Sequence, residues 1–146
     1  MTHGRTKVLI VDDEPDILLM MRVNLEGEGF DTVLAADGET AVERVRNEAP
    51  AVVLLDVMMP VLDGWGVLEV LANDEVRPAI IVVSAKAAPA DLARAYQLGA
   101  ADYVTKPFSI EHLVSVIRDV LGRSEDEMEQ RRQAALSELG VTGPTS

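Results

Sequence analysis

The chain has 146 residues and a formal net charge of −12 at pH 7, because 25 Asp and Glu outnumber 13 Lys and Arg. This length is typical of one domain, and so acidic a surface repels a phosphate backbone, which argues against nucleic acid as a ligand. With no cysteine and only two histidines, the chain cannot form disulfides, thiolate nucleophiles or the usual Cys- or His-rich zinc sites. We find no apolar run of about 18 residues and no secretory signal, so we expect a soluble, cytoplasmic protein without a membrane span.

Five short segments with the composition of β-strands follow one another along the chain. Three are continuous apolar runs, which are typical of strands buried on both faces of a parallel sheet, and the other two are weaker. The predicted strands are Lys7–Val11, Asp31–Ala35, Ala51–Leu55, Ala79–Val83 and Tyr103–Thr105.

Amphipathic helical segments separate and follow these strands. The first is predicted to begin at Pro15, and Ser109 is the expected N-cap of the fifth. Strict alternation of strands and helices predicts an α/β fold, a doubly wound five-stranded parallel sheet with helices on both faces. The apolar stripes are Ile17/Met21/Leu25, Ala41/Val42/Val45, Val67/Leu68/Leu71, Leu92/Ala95/Tyr96 and Ile110/Leu113/Ile117/Leu121.

A boundary is predicted near Gly122, which occupies the position of a C′ glycine after the fifth helix. The segment that begins at Ser124 has the pattern of a capping box, so we expect an extra C-terminal helix that ends at Gly140. We therefore divide the chain into an N-terminal tail (1–6), one domain (7–121) and a C-terminal helix with a frayed tail (122–146). That last segment is too short and too acidic for a helix-turn-helix output domain.

Polar side chains follow four of the predicted strands: Asp12 and Asp13, Asp56, Ser84, and Lys106. The ligand crevice of an open α/β sheet lies at the carboxyl ends of its strands, and in the flavodoxin-like order 2-1-3-4-5 the first and third strands are neighbours. Three carboxylates would then converge, and their repulsion calls for a hard cation, of which Mg²⁺ is the obvious choice. With an ammonium and a hydroxyl beside it, such a site suits phosphoryl transfer to an Asp oxygen.

Four motifs follow or overlap the predicted strands: VDDE at 11–14, LDVMMPVLDG at 55–64, SA at 84–85 and YVTKPF at 103–108. Together they resemble the receiver domain of two-component response regulators. The resemblance spans about residues 5 to 121, and the motifs occur in the family's order and spacing. It implies that Asp56 accepts a phosphoryl group from the phosphohistidine of a sensor histidine kinase or a phosphotransfer protein.

The resemblance also implies how the remaining site residues act. Mg²⁺ would be held by Asp12, Asp13, Asp56 and the backbone carbonyl of Met58. Ser84 and Lys106 would each contact a phosphoryl oxygen, and a cis peptide bond before Pro107 would aim the lysine into the cleft. When Ser84 moves, Tyr103 would turn inward and change the face formed by helix 4, strand 5 and helix 5, where a downstream protein effector would bind. The resemblance leaves open whether two copies of the chain form a homodimer on phosphorylation.

Each of these residues also has a purely structural interpretation. Asp12 and Asp13 could be helix N-terminal acids that interact favourably with the helix dipole. Ser84 could be a turn residue, Lys106 a solvated lysine, and Tyr103 a half-buried tyrosine on an edge strand.

Two other functions fit the sequence less well than a signalling switch. Haloacid-dehalogenase-like phosphatases carry a general acid two residues after the phosphorylated Asp, but this chain has Met58 there. A phosphate on Asp56 should therefore be held rather than turned over, so we do not expect an enzyme, and Met58 and Lys86 are predicted to tune its lifetime. A dinucleotide site is disfavoured because the first strand-to-helix turn lacks glycines. A stand-alone receiver is expected, and the alternative is the receiver portion of a longer transcription factor.

Overall fold

The computed structural model describes residues 5–59, 62–74 and 77–140. Five parallel strands form one sheet in the order β2-β1-β3-β4-β5, which confirms the predicted doubly wound topology. The strands are β1 Lys7–Val11, β2 Asp31–Ala35, β3 Val52–Leu55, β4 Ala79–Ser84 and β5 Asp102–Thr105.

Five helices connect or follow these strands, and a sixth lies beyond them. No helix of the described ranges is long and apolar enough to cross a membrane. The helices are α1 Pro15–Gly27, α2 Gly38–Glu48, α3 Gly64–Ala72, α4 Pro89–Gln97, α5 Ile110–Leu121 and α6 Glu125–Glu138.

The sheet separates two apolar cores, because successive side chains of a strand point to opposite faces. In β1, Leu9 and Val11 face one core and Val8 and Ile10 face the other. All four are essentially inaccessible to solvent, which explains why the strand is apolar without interruption. This two-sided packing fixes the carboxyl end of the sheet, where the predicted polar residues lie.

Three strand ends differ by one residue from the prediction: β3 begins at Val52, β4 continues through Ser84 and β5 begins at Asp102. The predicted stripe of α5 was wrong at its end, because Leu121 is 39% exposed while Val120 is buried. After Leu113 and Ile117, the next inward position is three residues on rather than four, as the 3.6-residue period allows.

The connection after α5 corrects one prediction, and α6 confirms two. Gly122 has φ −86° and ψ −3°, so it does not adopt the left-handed conformation expected of a C′ glycine. Ser124 and Glu127 form the predicted capping box. Gly140 follows α6 with φ +83°, which fits its predicted role at the helix end. The predicted frayed tail, Val141–Ser146, lies outside the described residues, as do residues 1–4 of the N-terminal tail.

Candidate functional site

The carboxyl ends of β1 and β3 bring three aspartates together. The backbone N–H of Asp12 donates to the carbonyl of Ala35 at 3.1 Å, and that of Asp56 donates to the carbonyl of Val11 at 3.1 Å. These bonds continue the sheet ladder past the strand ends and fix both aspartates on neighbouring strands. Asp13 follows Asp12 directly, so its position depends on the same anchor.

The three side chains form a compact oxygen cluster. Asp12, Asp13 and Asp56 each offer a carboxylate oxygen, and these oxygens lie within 4.8 Å of one another. Asp12 is 2% exposed and Asp56 is 6% exposed, whereas Asp13 faces solvent. The cluster therefore has two buried ligands and one that reaches the entrance.

Lys106 supplies the positive charge at the floor of this cluster. Its Nζ donates to Asp12 Oδ2 at 2.8 Å and to Asp56 Oδ2 at 3.1 Å, and the Lys106–Pro107 peptide bond is cis. Burial alone would lower the pKa of Lys106, but its hydrogen bonds to the two carboxylates outweigh that effect and raise the pKa above its usual range. Lys106 is therefore a fixed ammonium rather than a solvated surface lysine.

The second oxygen of each buried aspartate is oriented by the backbone. Asp12 Oδ1 accepts the N–H of Glu14 at 2.9 Å, and Asp56 Oδ1 accepts the N–H of Met58 at 3.0 Å. The hydrogen bond from Glu14 agrees in part with a structural role for Asp12 at the start of the first helix, because Glu14 immediately precedes α1. The same geometry turns Oδ2 of each carboxylate toward Lys106, so both roles are compatible.

Ser84 and Tyr103 lie on the other side of the site, where Ser84 is the last residue of β4 and Tyr103 lies within β5. Ser84 is fully buried, and its Oγ accepts the N–H of Lys86 at 3.2 Å. The Tyr103 hydroxyl donates to the Lys86 carbonyl, and burial raises the pKa of Tyr103 to about 12. Tyr103 is 9% exposed, so it is more buried than the half-buried tyrosine considered above.

A shallow open groove lies beside the aspartates, and Met58 and Lys86 flank it. The Met58 side chain is 55% exposed, and Lys86 Nζ lies 3.8 Å from Asp91 Oδ1. Trp65, the only tryptophan of the sequence, also lines the groove, with Arg94 stacked 4.4 Å over its ring.

Two glycines support the site, and sequence reasoning assigned neither this role. A Cβ on Gly64 would collide with Val57 Cα and the carbonyl oxygen of Asp56, and a Cβ on Gly38 would collide with the carbonyl of Leu62. Close backbone approach therefore requires glycine at both positions. The only signal in the sequence is an Asp immediately before each glycine, which caps α2 or α3.

The donor set fits a hard divalent cation. Three carboxylates face one ammonium, so the cluster keeps an excess of negative charge that a dication would balance. All the side-chain ligands are oxygens, which Mg²⁺ prefers, and the exposed Asp13 leaves room for coordinated water. Asp12, Asp13 and Asp56 are therefore suited to hold Mg²⁺ at the carboxyl end of the sheet.

Residues 8–118 match the family model of the response regulator receiver domain. The chain belongs to this family. Among solved structures, it is similar to the Francisella response regulator 1452 receiver domain, with a TM-score of 0.76, 32% identity, and coverage of 80% of this chain and 96% of that one. It also resembles a response regulator from Chloroflexus aurantiacus, with a TM-score of 0.78, 27% identity, and coverage of 82% and 100%.

Curated relatives of the receiver are longer proteins. The chain is 42% identical over 123 residues to the DNA-binding response regulator MtrA of Mycolicibacterium smegmatis, which covers 84% of this chain and 54% of MtrA. It is 40% identical over 119 residues to the alkaline phosphatase synthesis transcriptional regulatory protein PhoP of Bacillus subtilis, covering 82% and 50%. The chain therefore spans about half the length of these relatives.

Proposed function

We propose that this receiver is a phosphorylation-dependent signalling switch that accepts a phosphoryl group on Asp56. The observation that carries the proposal is the position of Asp56, a nearly buried carboxylate beside Asp12, Asp13 and the ammonium of Lys106. A buried strand-end carboxylate of this kind is costly without a function, because desolvation disfavours its charge.

The chemistry follows from the neighbours of Asp56. One of its carboxylate oxygens forms a bond to phosphorus as the P–N bond of a phosphohistidine breaks, and the imidazole of the donor leaves. Asp12, Asp13 and Asp56, with the carbonyl of Met58, would hold Mg²⁺, which neutralises charge on the phosphoryl oxygens when it is bound. Lys106 can then exchange its contact with Asp56 for one with a phosphoryl oxygen.

The signal leaves the site through Ser84 and Tyr103. A phosphoryl oxygen attracts the Ser84 hydroxyl, and this movement disturbs the backbone of Lys86, to which Tyr103 is hydrogen-bonded. We propose that a downstream protein binds the rearranged face of α4, β5 and α5. We further propose that the protein acts in the cytoplasm, and that its phosphoryl donor is a sensor histidine kinase or a phosphotransfer protein. Phosphorylation-dependent association of two copies is a further outcome of the same change.

The phosphorylated form is proposed to persist rather than turn over. Met58 stands where a general acid would be needed and has no titratable group. Lys86, on the other side of the groove, forms an ion pair with Asp91, and a lysine ammonium only donates hydrogen bonds. We therefore infer self-phosphorylation from a donor followed by slow hydrolysis, and not an enzyme that cycles through substrates.

Two forms of output are consistent with this switch. One is a stand-alone regulator that acts by protein contact or phosphate relay. The similarity to half of MtrA and half of PhoP, which are named as DNA-binding and transcriptional regulators, favours the alternative of a receiver within a longer transcription factor. The length of the native reading frame distinguishes the two.

The experiment that tests the switch is phosphorylation by a small donor. The protein is incubated with acetyl phosphate and Mg²⁺, and its intact mass is measured. We expect the addition of one phosphoryl group to the wild type and none to Asp56→Asn. Persistent phosphorylation of the variant at another carboxylate would overturn the assignment.

A further inference from the structure

Helix α6 packs on α4 through a narrow stripe of its surface. Ala135 and Leu136 are buried in the same apolar cluster as Tyr96 of α4, and Leu139 packs at its margin. Most other residues of α6 are polar and exposed. A helix of 14 residues has little helicity alone in water, so α6 depends on this small contact for its structure.

A second contact is ionic and centres on Asp102, the first residue of β5, which is 8% exposed. Its Oδ2 accepts a hydrogen bond from Arg123 at 2.8 Å, and its Oδ1 lies 3.8 Å from Arg131 of α6. The same Oδ1 accepts the Tyr96 hydroxyl at 3.3 Å and the backbone N–H of Tyr103 at 2.9 Å. One buried carboxylate thus links α4, α6 and the residue proposed to move in the switch.

An open cleft of about 650 Å³ lies beside the first half of α6, where Met128 alone packs against the second apolar core. Met128 and Glu129 of α6 line one side, and Leu71 and Pro78 line the other. Arg132 spans the gap near the end of α4 by donating to the Tyr96 carbonyl at 3.2 Å. The helix is therefore attached at a few points, among them Met128, Arg132 and the Ala135–Leu136 pair, rather than packed along its whole length.

We propose that the surface formed by α4 and the start of β5 is a receptor for an amphipathic helix, and that α6 is its intramolecular occupant. A protein partner displaces α6 with a helix of the same chemistry, presenting adjacent small and aliphatic residues to Tyr96 and an arginine to Asp102. The inference rests on the proposed function, because this surface belongs to the face from which the signal is read. Asp102 also accepts a hydrogen bond from the backbone of Tyr103, so a movement of Tyr103 changes the affinity of the surface for α6. Because such coupling is reciprocal, release of α6 changes the equilibrium of the switch.

The test adds α6 back in trans. A fluorescent peptide with the sequence of residues 123–140 is titrated with the full chain, and binding is followed by anisotropy. Leu136→Gln replaces the buried contact with a polar side chain of good helix propensity and should free the receptor. Ala134→Gln places the same side chain on the exposed side of α6 and is the matched control. If α6 covers the surface more than nine-tenths of the time, the peptide binds Leu136→Gln at least about tenfold more tightly than the wild type or the control.

Further measurements make the result specific. Adding Asp102→Asn to the Leu136→Gln protein should weaken peptide binding, and phosphorylation of the wild type should strengthen it. Equal binding to wild type and Leu136→Gln, or no binding to either, overturns the inference. If the Gln variant does not unfold cooperatively, Leu136→Ala takes its place under the same criterion.

Phosphorylation of each protein by acetyl phosphate is measured in parallel. Normal phosphorylation of Leu136→Gln without a gain in peptide binding refutes the helix receptor and leaves the switch intact. Failure of the wild type to be phosphorylated on Asp56 refutes the proposed function instead.

Discussion

Asp13→Asn tests the charge balance that underlies the proposed metal site. Asp12 and Asp56 are hydrogen-bonded to Lys106, whereas no ion pair of the described ranges involves Asp13. Removing its charge relieves repulsion within the cluster but also removes a metal ligand. We therefore expect the variant to be more stable than the wild type in a chelator and less stable in Mg²⁺.

The cluster geometry sets the size of both effects. Its oxygens lie within 4.8 Å of one another, and at that distance two unit charges repel by about 0.9 kcal/mol at the dielectric constant of water. Because Asp13 faces solvent, we apply this repulsion energy to its pair with Asp12 and to its pair with Asp56. The attraction between Asp13 and Lys106 offsets part of the total repulsion. The net gain in a chelator should be about 1 kcal/mol. Mg²⁺ at a hundred times its dissociation constant should add about 2.7 kcal/mol to the wild type, and the variant should gain little.

The assay is urea unfolding, followed by the fluorescence of Trp65, in EDTA and in excess Mg²⁺. We expect the order of stability of the two proteins to reverse between the two solutions. Asp16→Asn, which removes an exposed acid from the first turn of α1 outside the cluster, should show the wild-type Mg²⁺ response. A variant less stable than the wild type in EDTA, or one with an undiminished gain from Mg²⁺, would refute the charge argument.

Three other substitutions test neighbouring parts of the account. Lys106→Met should lower the free energy of unfolding by about 2 kcal/mol at pH 7, because two buried carboxylates lose their ammonium. Since the pKa of Lys106 is raised on folding, denaturation at increasing pH should show this difference disappearing above that pKa. Met58→Asn, which can orient an attacking water, should shorten the phosphate lifetime about tenfold, equivalent to about 1.4 kcal/mol of barrier; equal decay for wild type, Met58→Asn and Lys86→Ala in excess Mg²⁺ would show that neither position controls water access. Gly64→Ala should cost about 1–3 kcal/mol in urea unfolding and slow phosphorylation, while Gly27→Ala, which meets no atom within 4 Å, should leave the phosphorylation rate unchanged.

The fold was predictable because burial on both faces of the sheet leaves a strong local signal. β1 and β2 have the predicted bounds, and β1 ends where Asp12 interrupts its apolar run. β5 was harder, because its first residue, Asp102, is a buried carboxylate that a composition argument places outside a strand. Its burial depends on Arg123, which the chain brings back only after α5.

The candidate site was predictable where the order of the parallel strands alone determines which side chains lie close together. The strand ends that carry Asp12 and Asp56 are neighbours in the sheet, so their convergence needed no side-chain detail. The contribution of Gly64 was not foreseen, because only the three-dimensional path of the loop shows that it leaves no space for a Cβ. The docking of α6 was also hidden, since its two buried residues give it almost no amphipathic signal in the sequence.

The most direct test of the central claim locates the phosphoryl group itself. The protein is phosphorylated with acetyl phosphate and Mg²⁺, then reduced with borohydride, which converts an aspartyl phosphate to homoserine. Peptide mass spectrometry then identifies the converted residue. We expect conversion of Asp56 and of no other aspartate, and no conversion when Mg²⁺ is chelated. Conversion at Asp12, Asp13 or another position, or phosphorylation that is indifferent to Mg²⁺, would contradict it.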